Sequence, residues 1–211
     1  LNEWIEIARD DLRLLRQVRL AAAEWELSGF ENHFLWPHER LVLVAQLVER
    51  MRPALSSTEE QFIRPESERL LKEIDNPATT HQQRAKIGDR LAEIGDTRPG
   101  VGLRDDGLPD IVWCEVPGGE ITLEEDAGTF DVEPFFIAKY PVTWIQYRSF
   151  LGAKDGYRNK QWWKGLAGRE DQPGEQFRKF DNYPAENVSW YDAEAFCRWL
   201  TKRLGYEIRL P

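Results

Sequence analysis

The residues best suited to chemistry in this chain are few, and their spacing argues against most reactions. His33 and His38, with Glu39 beside the second, offer imidazole and carboxylate donors to a transition metal, and His81 is the only other histidine. A metal site needs its donors brought to one point at suitable spacing. Here the spacing is wrong, and Pro37 interrupts any helix that would carry His33 and His38 together. Cys114 and Cys197 are the only cysteines and lie far apart, which excludes a disulfide scaffold. Cys197 sits in the apolar run Ala195-Phe196-Cys197-Arg198-Trp199-Leu200, where an inert buried thiol is expected. Ser189 lies in no nucleophile elbow and has no evident histidine partner, so it reads as a helix cap. Asp105, Asp106 and Asp110 can offer oxygens to a hard cation, but a solvated acidic turn explains them more simply. Gly100-Val101-Gly102 lacks the preceding strand and the Lys-Ser/Thr of a phosphate loop. Tyr157, Trp162 and Trp163 can either line a ligand groove, as a ligand or partner surface, or pack beneath a long loop. No catalytic, cofactor-binding or metal-binding residue is assigned.

The elements that must position these residues fall into two halves. In residues 1–96, Trp4, Ile7 or Ala8, Leu12, Leu15, Val18, Ala22 and Trp25 recur at helical spacing up to Ser28-Gly29. Pro37 can open a second helix with Leu41, Val44, Val48 and Met51 on its apolar side, and Pro53 stops it. Ser56-Ser57-Thr58-Glu59-Glu60 supplies a cap and acidic first-turn residues for a third, carrying Phe62, Leu70, Leu71 and Ile74, with Pro65 as a kink or early-turn residue. Thr80 caps a fourth, where Ile87, Leu91 and Ile94 align before Gly95. Four amphipathic helices with short joints predict a small bundle. Residues 97–110 are dense in Gly, Pro and Asp and read as a linker. From 111 the pattern turns to short strands: 111–116, 120–123, 128–132 and 135–140. A helix capped by Thr143, a loop-rich stretch over 152–182, a helix from Trp190 to Leu204 capped by Ser189, and a closing strand Tyr206 to Leu210 complete an α+β domain over 111–211.

Composition narrows the function classes. The net charge of −9 argues against general affinity for nucleic acid or an anionic membrane. No apolar run approaches the roughly 20 residues of a membrane span, and the charged start is not a signal peptide. Sparse cysteine makes a cytoplasmic setting the default. Nine tryptophans suit interfaces and pockets as well as an ordinary core. The first residue is Leu, from which a fragment or processed product is expected.

Three stretches carry a family resemblance. Val116-Pro117-Gly118-Gly119-Glu120, Phe135 to Tyr147 with its Pro141-Val142-Thr143 centre, and Pro184-Ala185-Glu186-Asn187-Val188-Ser189-Trp190-Tyr191-Asp192-Ala193 follow in order. Together they resemble the formylglycine-generating-enzyme, or sulfatase-modifying-factor, family. The resemblance implies a fold related to C-type lectins, of which this chain holds the amino-terminal half. It also implies a catalytic second half following Arg209-Leu210-Pro211. The family includes copper-dependent oxidases acting on a sulfatase cysteine, iron-dependent sulfoxide synthases and ligand-binding domains without chemistry. Neither Cys114 nor Cys197 matches the oxidases' cysteine pair, so no functional residue carries over. Copper or calcium is implied only with the missing half, and no cofactor for these residues. The segments Arg19 to Gly29 and Ile87 to Gly102 resemble connectors in bacterial signalling or conflict proteins that contain STAND-type NTPases or caspase-like proteases.

The expectation is therefore a non-catalytic binding or regulatory module of a bacterial signalling or defence protein. Its partner would be a protein, such as a protease or STAND NTPase, or the remainder of its own polypeptide. The alternative is part of an active formylglycine-generating oxidase or sulfoxide synthase. A half domain is further expected to leave strand edges and apolar surface uncovered.

Overall fold

A computed structural model describes residues 2–124, 128–168, 172–178 and 180–211, with side chains from residue 6 onward. The side chain of Trp4 lies outside the described residues. Two compact units divide between Ile94 and Gly95. The architecture is mixed α+β, with the helices first.

The first unit is helical. Helix α1 (Asn2–Leu27) buries Asp11, Leu15, Val18, Ala22 and Trp25, a clean alternation of three- and four-residue steps. The expected stripe included Ile7 or Ala8, then Leu12, but Leu12 is 57% exposed and Asp11 takes the core-facing place. The reason is electrostatic. Arg50 on helix α2 (His38–Met51) grips Asp11 with bonds of 2.6 and 3.2 Å, which offsets the cost of burying the carboxylate. Helix α2 buries Leu41, Val44 and Leu47, and ends at Arg52 in the left-handed conformation. The single third helix expected from sequence is two: α3 (Ser57–Phe62) and α4 (Glu66–Asp75). Pro65 lies immediately before α4, where its missing N–H costs no helical bond. Ser56 and Glu59 form a reciprocal capping box on α3. Helix α5 (His81–Ile94) buries Ile87 and Leu91. Phe62 fills the centre of this unit, in contact with Trp25 and Trp36.

Polar groups fasten α4 and α5. Arg84 donates to the carbonyls of Ile74, Asn76 and Thr79, answering the unpaired end of α4. Arg90 forks onto Glu66 at 2.9 and 3.0 Å and reaches Glu39 at 3.0 Å, while Glu66 also accepts from the backbone N–H of His38. The Arg90 guanidinium, chiefly, holds both carboxyls below their usual range.

The second unit pairs strand β1 (Trp113–Val116) with β4 (Phe135–Ala138), antiparallel, with Trp113 opposite Ala138 and Val116 opposite Phe135. Between them in sequence, β2 (Gly119–Leu123) and β3 (Gly128–Val132) form a separate hairpin, with Ile121 opposite Phe130. Helices α6 (Trp144–Gly152) and α7 (Trp190–Leu204) supply most of the core: Tyr147, Phe150, Ala195, Phe196, Trp199 and Leu200 are all buried. Gly205, at φ 81°, ends α7 in the left-handed conformation open to glycine.

Two expectations fail here. Residues 97–110 do not hang free as a linker. Val101 and Pro109 are buried, Leu103 bridges Pro109, and the segment closes on itself through Arg104 N–H to Leu108 O and Asp110 N–H to Gly102 O. The expected strand Tyr206 to Leu210 does not form: Tyr206 is a bend, and residues 207–210 join no ladder among the described residues. Both backbone groups of Ile208 are bonded to the Thr201 hydroxyl instead.

Candidate functional site

The second and third of the three sequence motifs turn out to be fasteners. Thr143 opens α6 with a capping box: its N–H donates to Gln146 Oε1 at 3.0 Å. Its hydroxyl donates to Val101 O at 2.8 Å. Gln146, 1% exposed, turns its amide onto three carbonyls, those of Gly100 (3.1 Å), Gly102 (3.2 Å) and Asp110 (2.5 Å). The Gly- and Asp-rich segment is thus held by two buried side chains, Thr143 and Gln146, thirty-six to forty-six residues away. Asp110, weighed as a cation ligand, instead accepts the N–H of Gly100 at 2.7 Å. Asp106 pairs with Arg104 and accepts the N–H of Leu108. The acidic turn is an internally bonded loop.

The third motif stitches a second loop. Glu186 accepts the N–H groups of Phe177 and Arg178 and the guanidinium of Arg178. Gln176 accepts the N–H of Glu186 at 2.9 Å. Asn187 stands at φ 52°, a conformation asparagine tolerates better than most, and donates to Glu175 O at 2.6 Å. A Cβ on Gly174 would meet the Asn187 carbonyl oxygen at 1.9 Å, so only glycine permits this approach. Ser189 caps α7 as expected, in a reciprocal box with Asp192.

Tyr157, Trp162 and Trp163 do not form a surface. They are 3%, 8% and 6% exposed and belong to the core cluster. Trp163 stacks on Phe150 with ring centres 6.0 Å apart, and Tyr157 meets Trp163 edge-on at 4.8 Å. Trp162 Nε1 donates to Asp155 O at 2.6 Å. Arg198 on α7 grips the carbonyls of Trp162 and Lys164, drawing this short 3-10 turn (Lys160–Trp163) inward. Their large apolar area is better buried in a core than exposed, which is why the loop folds over α7.

Other candidates divide in the same way. His33, His38 and His81 all lie in the helical unit, and among the described residues no cluster of three His, Cys, Asp or Glu side chains is arranged to hold a metal. Cys114 is exposed on β1. Cys197 is buried on α7, and burial pushes its thiol up to about 11, so it is protonated and a poor ligand at neutral pH. Among the described residues, the donors do not fit a copper-binding cysteine pair or a three-histidine iron site.

Sequence reasoning missed a partly buried ionic cluster. Arg98 clasps Asp96 at 2.6 and 3.0 Å, and Asn182 donates to the same carboxylate at 2.9 Å. Burial acts to raise the Asp96 carboxyl, but Arg98 and Asn182 outweigh it and hold the group below its usual range. The Asp-x-Arg spacing was the available signal. Both two-stranded sheets leave apolar side chains open to solvent: Ile121, Leu123, Phe130, Phe136 and Ile137 are each 44–64% exposed. In the β2–β3 hairpin, Ile121, Leu123 and Phe130 share one face, while Glu120, Thr122, Thr129 and Asp131 share the other.

These features define a compact α+β unit with motif-built loops and an aromatic core. Residues 105–211 match the sulfatase-modifying factor enzyme 1-like domain, and the chain belongs to that family. Among characterised proteins, it is similar to the hercynine oxygenase of Mycolicibacterium thermoresistibile, 29% identical over 103 residues. That alignment covers 40% of this chain and 23% of the oxygenase, so the chain spans under a quarter of that relative. No solved structure matches. Among the described residues no helix is long and apolar enough to cross a membrane.

Proposed function

We propose that this chain is a recognition or regulatory module, in which the unit from Gly95 presents an apolar strand face to a protein partner or to further residues of its own domain. The observation that carries the reading is the contrast between the two sides of the β2–β3 hairpin. One is polar, and the other holds half-exposed Ile121, Leu123 and Phe130. Two-stranded ribbons are marginal on their own and gain stability when an apolar face is covered. Setting the module in a bacterial signalling or defence protein rests on the connector resemblance of the helical unit.

The likeness to hercynine oxygenase favours a second reading, in which these residues are the scaffold of an oxygenase-type domain whose metal ligands lie outside them. One assay separates the two. The protein is given ferrous iron, oxygen, hercynine and a thiol, or copper, oxygen and a cysteine-containing peptide. Because a scaffold whose metal ligands lie outside these residues would also be silent, association is the separating readout: concentration-dependent association of the protein that Ile121→Ser abolishes supports the module. Turnover above the metal-only blank overturns it.

A further inference from the structure

Two buried polar atoms, one on α6 and one on α7, take no part in any fastening described above. Asp192 is 2% exposed. Its Oδ2 accepts from Ser189 N–H and Oγ–H, but its Oδ1 meets no protein donor. Tyr147 is 3% exposed and its hydroxyl also meets no protein partner. Asp192, Phe196 and Trp199 follow at i, i+4 and i+7 and so share one face of α7. The Tyr147 ring lies 5.8 Å from Phe196 on that face. Burial raises the Tyr147 phenol, and the Asp192 charge is the next contributor.

We infer that one enclosed water molecule bridges Tyr147 Oη and Asp192 Oδ1, pinning α6 to α7. Buried polar atoms are almost always paired, and buried waters serve this purpose about once per 27 residues. The occupant must be small, because both residues are nearly sealed from solvent. It must donate to the carboxylate and accept the phenol proton. Water does both. An anion cannot donate to the carboxylate. A metal cation needs several oxygen ligands, whereas the Tyr147 ring packs against the rings of Phe150 on α6 and Phe196 on α7, with Trp199 next to both. The inference is independent of the proposed function.

A high-resolution crystal structure of the full chain tests it, paired with urea unfolding of Tyr147→Phe. The expected map shows a water about 3 Å from both oxygens. The same map of Tyr147→Phe loses that water, and its unfolding midpoint falls. A direct Tyr147–Asp192 bond, or no density between the two oxygens, overturns the inference. So does a Tyr147→Phe variant that keeps both the water and the midpoint. The wild-type map decides the question even if the variant folds poorly.

Discussion

Replacing Gln146 by Leu should detach residues 98–110 from the second unit. Leucine keeps the volume but removes the two amide hydrogens shared among the carbonyls of Gly100, Gly102 and Asp110, and the acceptor used by Thr143 N–H. Each buried polar group left unpaired costs about 1–3 kcal/mol. Local relaxation lets water reach part of the segment, so a net loss of about 3 kcal/mol is expected. For a unit of this size that lowers the thermal midpoint by about 10 °C. Hydrogen exchange is the sharper assay. Protection at Val101, Asp110 and Thr143 should fall together, and proteolytic cutting should begin within 98–110. Gln146→Glu gives a second signature. Its carboxyl would face carbonyl oxygens, so its folded pKa must rise above the unfolded value of about 4.3. The variant should be closest to wild type below that pH and lose stability as pH rises through the folded pKa. If Gln146→Leu melts within about 2 °C of wild type and keeps protection over 98–110, the segment is held by something other than this side chain.

The other predictions concern different parts of the chain. Lowering pH should destabilise the helical unit. Glu66 and Glu39 have folded pKa values below the ordinary 4.5, so the stability their pairing adds is present above that value and lost as pH falls through the folded one. Arg90→Met should flatten that acid limb in circular-dichroism titrations. Trp163→Ala should cost about 3–5 kcal/mol in urea unfolding, as expected of a core ring and not of a groove lining. A thiol reagent at pH 8 should label Cys114 quickly and Cys197 only on unfolding, because Cys197 is buried and its thiol lies near 11. Arg84→Met should lower exchange protection at the end of α4, by about 1–2 kcal/mol, while leaving α1 unchanged.

Much of the architecture was legible because local signals act over a few residues. Ser56 with Glu59, Thr143 with Gln146 and Ser189 with Asp192 each place a capping oxygen three residues from its reciprocal partner, and all three open helices as read. The strands of the second unit appear within a few residues of their predicted bounds because β-branched and aromatic runs end at Gly and Pro. Pro65 was visible too, but sequence left open whether it bends one helix or separates two.

The sequence by itself determined periodicity, caps and breakers, and through three ordered motifs the family of residues 105–211. These depend on neighbours along the chain. Tertiary structure decided which polar groups go inside. Asp11 displaces Leu12 from the core because Arg50, thirty-nine residues away, is there to meet it. The glycine-rich segment is a built part of the fold because Gln146 can reach its carbonyls. Tyr157, Trp162 and Trp163 are core because Arg198 and Phe150 draw their loop over α7. Each outcome balances desolvation against a distant partner, and the partner's position exists only once the chain has folded.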